Sequence, residues 1–132
     1  MFSLYGSSPD HDGEWIVDFH SDGEQVQISI HPPESYDVGG SVIVERSAFR
    51  NALSSTNFAL AGVSPGQGTE RRLVFDLRND MQITILGAPA GPVAIQVNMD
   101  QLRDALVQSG ILADTAATGI ETSPTYFRKD MK

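Results

Sequence analysis

His11, His20 and His31 stand in an acidic stretch with Asp10, Asp12, Glu14, Asp18 and Asp22. Imidazole beside carboxylate can move a proton or ligate a metal, so this cluster is where chemistry would begin. Its spacing argues against a metal: there is neither H-x-H nor H-x-x-x-H, and the three rings are strung out along the strand path. Exposed histidines on an acidic surface are the expected reading. A small metal-dependent enzyme built on the same His/Asp cluster is the remote alternative.

A second motif is Gly62-Val63-Ser64-Pro65-Gly66, which fits the G-x-S-x-G pattern of a nucleophilic serine on a tight strand-to-helix turn. In that motif the next residue lends an N–H to the oxyanion, and Pro65 has none. Gln67-Gly68-Thr69 then leads toward a strand rather than a helix, so a glycine-rich loop is expected. Asp10-His11-Asp12-Gly13 is too brief for a calcium loop, and no phosphate-cradling or dinucleotide fingerprint occurs. Cysteine is absent, which removes thiolate zinc sites, cysteine nucleophiles and disulfides. No catalytic residue, metal or cofactor is predicted.

Charge is more informative than any motif. The chain has 132 residues and a net charge of −8. Residues 1–45 hold Asp10, Asp12, Glu14, Asp18, Asp22, Glu24, Glu34, Asp37 and Glu45 with no Lys or Arg; the rest holds nearly balanced charge. A field this negative repels phosphate backbones, so no nucleic acid is expected, and it speeds encounter with a basic protein. No apolar run approaches the roughly 20 residues of a membrane span, nor does the start read as a secretory signal, so a cytoplasmic protein without membrane contact is expected.

These residues need elements to hold them. Trp15, Val17 and Phe19 share one face of a predicted strand, with Ile16, Asp18 and His20 on the other. Val26, Ile28 and Ile30 alternate with Gln25, Gln27, Ser29 and His31. The Asp22-Gly23 pair between them suggests a type I′ hairpin that sets Phe19 opposite Val26, Val17 opposite Ile28, Trp15 opposite Ile30 and Glu14 opposite His31. Trp15 is expected in the core. After Pro32-Pro33 and a loop, Val42–Val44 forms a short strand, and Ser47 looks like the cap of a helix carrying Phe49 and Leu53. Asn57–Gly62 could extend that helix or form a strand.

The order then recurs. Leu73, Phe75 and Leu77 pair through a three-residue turn with Ile85, Ile83 and Met81; Val93–Val97 is a strand; Asn98 caps a helix with Leu102, Ala105 and Leu106 on its apolar stripe. Val42–Leu53 and Ile95–Leu106 align without gaps, Phe49 on Leu102 and Leu53 on Leu106. The fold expected is α+β: a mainly antiparallel sheet of six or seven strands with two helices on one face, and a ββ(β)α pseudo-repeat whose halves span about 14–61 and 71–110. One domain would cover 1–112, with a C-terminal tail, 113–132, either flexible or docked through Tyr126 and Phe127.

Together these features predict a non-enzymatic binding module that docks a basic protein partner through Asp18, His20, Asp22, Glu24, Glu34, Tyr36 and Asp37, in the manner of immunity proteins or antitoxins. A structural or homodimeric module is the main alternative, with the strands at Val42–Val44 and Val93–Val97 as pairing edges.

Overall fold

Alternation of apolar and polar residues yields the order β1 (Phe2–Ser7), β2 (Glu14–Asp22), β3 (Gln25–His31), β4 (Gly40–Glu45), α1 (Arg46–Ala52), β5 (Asn57–Val63), β6 (Glu70–Asp76), β7 (Gln82–Leu86), β8 (Val93–Gln96) and α2 (Met99–Gln108). The computed structural model describes residues 2–9, 13–34, 39–78, 81–89 and 91–111. Among these residues the eight strands run antiparallel, each beside its neighbour in sequence, and β8 returns to β1 to close a barrel. At eight strands a barrel interior is just wide enough to be filled by side chains.

The inward side chains stack in cross-strand rows. Phe2, Phe19, Ile28 and Val42 face one another across β1–β4, with Leu4, Val17 and Ile30 in the next inward row. Phe58, Phe75, Ile83 and Ile95 do the same across β5–β8, followed by Leu60, Leu73, Ile85 and Val93. Both helices feed this interior: Phe49, Leu53, Leu102 and Leu106 are fully buried in one cluster with the strand residues. Phe49 meets Phe75 edge-on at 5.6 Å, and Phe75 stacks on Phe58 at 4.7 Å. Such aromatic pairs add to the hydrophobic gain of burial. Arg46 ties the helices together, bonding the Gly110 carbonyl at 2.7 Å while its own N–H meets the Glu24 carbonyl at 2.7 Å.

The barrel is joined unevenly. Four strands on each side pair over most of their length, but β4 meets β5 only at Ile43–Val63 and β1 meets β8 only at Ser7–Gln96. Each seam has a glycine where backbones approach most closely. A Cβ on Gly62 would lie 2.5 Å from the Ile43 carbonyl oxygen, and one on Gly6 would lie 2.1 Å from that of Gln96. Only the residue without a side chain fits there.

Several expectations are corrected. The described residues make eight strands, not six or seven, and the sheet closes instead of lying open under two helices. The unforeseen strand is β1, whose Phe2/Leu4 alternation is confined to the chain start; at Asn57–Gly62 the strand alternative holds as β5, although Ala59, Ala61 and Gly62 carry little strand character. The first hairpin is shifted by two: Phe19 faces Ile28, Val17 faces Ile30 and Ile16 faces His31. Gly23 (φ +64) takes the first central position of the turn, where a type II′ hairpin favours glycine, so Asp22 stays in the ladder. A shift of two preserves every face, and Trp15 is buried as expected. The second hairpin has the expected register. Helix α1 begins at Arg46 with no side-chain cap, not behind Ser47, whereas Asn98 caps α2 by accepting from the Gln101 N–H at 3.1 Å. Neither β4 nor β8 is a free edge, since each has a neighbour on both sides. The proposed tail, 113–132, lies outside the described residues.

Candidate functional site

On the outer face of β1–β4 the register lines up Ser3, Asp18, Ser29 and Ser41 in one row across four strands. Outward positions on a barrel normally meet water, yet Asp18, Ser29 and His31 are buried. A carboxylate and an imidazole away from water must be satisfied internally. Here the Ser3 hydroxyl donates to Asp18 Oδ1 at 2.5 Å, and His31 Nε2 bonds Asp18 Oδ2 at 2.8 Å. His31 Nδ1 lies 2.7 Å from the Pro32 carbonyl oxygen. That oxygen can only accept, so Nδ1 carries a hydrogen, and a second hydrogen lies between Nε2 and Asp18 Oδ2. Ser29 and Ser41 pair through their hydroxyls at 2.8 Å.

Above this row opens a groove of about 370 Å³, floored by Asp18, Ser29, His31 and Ser41 and walled by His20, Gln27, Gly40 and Pro65. Pro65 reaches it from the β5–β6 loop. Ser64, just before, is buried: its hydroxyl accepts the Thr69 N–H at 2.9 Å, and its N–H donates to the Thr69 carbonyl at 2.7 Å. The serine of the G-x-S-x-G pattern therefore closes a tight loop, as Pro65 foretold.

Serine, histidine and aspartate side by side invite comparison with a hydrolytic triad, but the connectivity differs. In a triad the histidine stands between acid and nucleophile. Here Asp18 stands between Ser3 and His31, and both His31 nitrogens are engaged by Asp18 and Pro32. Ser29 bonds another serine rather than a base. Ser3 therefore bonds the carboxylate directly, with no imidazole between them. Among the described residues no group of three or more His, Asp or Glu could hold a metal ion.

The predicted binding residues are distributed unevenly. Asp18 and His20 line the groove, His20 exposed and Asp18 buried. Asp22 and Glu24 are exposed at the β2–β3 turn, and Glu34 is exposed beyond the other end of β3, roughly 20 Å away along the strand. Tyr36 and Asp37, like His11, lie outside the described residues. The picture of uniformly exposed histidines is overturned by His31, which is 3% exposed. Sequence reasoning missed Ser3, Ser29, His31 and Ser41 as a set. Their alternation was visible, but the shifted register placed Glu14 opposite His31, and Ser3 belongs to an unrecognised strand.

Four carboxylates, Glu14, Asp18, Asp22 and Glu45, occupy outward positions on β2 and β4, and none of the outward positions on β2–β4 carries Lys or Arg. Among the described residues no helix is long and apolar enough to cross a membrane. No family model, curated protein or solved structure significantly matches the chain.

Proposed function

We propose that this chain is a non-enzymatic binding module that captures and neutralises a basic protein partner, and that the outer face of β2–β4 is its docking surface. The observation that carries this reading is the pairing of a groove with a face bearing Asp22 and Glu45, both exposed, and no Lys or Arg at its own outward positions, although Arg71 of β6 reaches the Ser41 carbonyl at 2.6 Å. Like-signed charge gathered on one face costs stability through self-repulsion, yet it accelerates and orients encounter with an oppositely charged surface. The immobilised protein should retain a basic protein from its native lysate and release it in a salt gradient. A D22N/E24Q/E45Q variant should release the same protein at lower salt. Retention indifferent both to salt and to these substitutions would refute the reading.

We further read the chain as a duplicated unit of four strands and a helix. Phe2-Ser-Leu-Tyr-Gly-Ser-Ser-Pro9 and Phe58-Ala-Leu-Ala-Gly-Val-Ser-Pro65 share Phe, Leu, Gly, Ser and Pro at matching places, and Gly6 and Gly62 both sit at seams. The inward rows match as well: Phe19 answers to Phe75, Ile28 to Ile83 and Val42 to Ile95. The outward row does not. Opposite Ser3–Asp18–Ser29–Ser41 stands Ala59–Val74–Thr84–Ala94, with Leu86 answering to His31. One copy builds this row without ionisable groups, which supports a functional reason for them in the other.

A further inference from the structure

We infer that the groove is a receptor for one arginine side chain presented by the basic partner; this rests on the outer face of β2–β4 being the docking surface. The floor is made of oxygen acceptors in a row. A carboxylate offers about four lone-pair sites, and Ser3 and His31 each take one from Asp18, leaving the remainder to a ligand. Neighbouring members of a cross-strand row stand about 5 Å apart, so Asp18, Ser29 and Ser41 present acceptors side by side. A planar guanidinium with five donors in a fixed fork can engage such a row at several points, whereas an ammonium offers one compact charge.

The surroundings select the same ligand. No Lys or Arg lines the groove, and Asp22 and Glu45 on the same face favour a cation. His20 stands exposed on the wall, where an imidazole face can stack on a guanidinium plane. A volume of about 370 Å³ admits a long side chain and its water but not a folded element. The Ser3–Asp18–His31 chain then has a clear use: it holds the carboxylate in one orientation before the ligand arrives, so that less ordering is needed on binding.

The test is a titration of the full chain with N-acetyl-arginine methylamide, its lysine counterpart and acetate, followed by backbone amide NMR shifts. The arginine probe should shift the Asp18, Ser29 and Ser41 amides saturably, at least ~10-fold more tightly than the lysine probe, with acetate silent. Ser29→Ala with Ser41→Ala should weaken that response severalfold while the spectrum stays folded. A variant carrying the β5–β8 residues at this row (S3A/D18V/S29T/H31L/S41A) should lose it. Equal response to arginine and lysine, response to acetate, or no saturable shift overturns the inference. Failure of the docking surface is separable: in that case D22N/E24Q/E45Q captures the basic protein like the parent chain. If instead that variant loses capture while the five-residue variant retains it, the surface stands and the arginine receptor falls.

Discussion

The Asp18–His31 pair can be tested as an energetic unit. Its side chains are 6% and 3% exposed, so each ionisable group has given up nearly all of its hydration and depends on its partner. Removing one member of a buried pair strands the other and costs about 3–5 kcal/mol. Replacing both with apolar residues of similar bulk is often neutral, or stabilising by about 1–4 kcal/mol. Under the proposed duplication Val74 and Leu86 of β6 and β7 answer to these positions, so Val at 18 and Leu at 31 are the natural replacements. Asp18→Val alone, or His31→Leu alone, should lower the melting temperature by about 12–20 °C, taking ~4 °C per kcal/mol for a chain of this size. Asp18→Val with His31→Leu and Ser3→Ala should restore the parental melting temperature or exceed it. Thermal and urea unfolding of the parent, the two single variants and Asp18→Val/His31→Leu, followed by circular dichroism, form a double-mutant cycle whose coupling should reach about 3 kcal/mol or more. Additive losses would show that the two residues do not support each other. A combined variant less stable than either single one would show that the polar row is required by the fold.

Three further outcomes follow from geometry. Gly62→Ala should destabilise by about 1–3 kcal/mol in urea, because its methyl would meet the Ile43 carbonyl and the Val42 side chain with little room to yield. Phe49→Ala should cost about 3–5 kcal/mol, since the ring is fully buried against Phe75 and Phe58; a loss below 1 kcal/mol would mean that α1 does not plug the barrel. Asn98→Ala should cost ~1 kcal/mol by freeing the Gln101 N–H, measurable as a lower urea midpoint with an unchanged slope.

Much of this architecture was legible because burial imposes period two on strands and a stripe on helices. Val17, Phe19, Ile28 and Ile30 declared their face, as did Leu73, Phe75, Ile83 and Ile85, and Asn98 declared its cap. Barrel closure was not legible, since it depends on β1 and β5, where small residues give a weak strand signal and glycines mark close contacts visible only in three dimensions. The acidic face was readable from charge counting alone. The groove floor was not: Asp18 and His31 are thirteen positions apart and meet diagonally, so a two-residue error in the turn separated them. Faces survive such an error, but diagonal neighbours do not.

The seam between β1 and β8 brings the first strand beside the last, with α2 packed against β1. The chain order of β1–β4 and β5–β8 should therefore be exchangeable without changing which strands are neighbours. A circular permutant that joins Lys132 to Met1 and opens the chain between Leu53 and Asn57 would begin with β5, end with α1, and should keep every described strand beside its present neighbours.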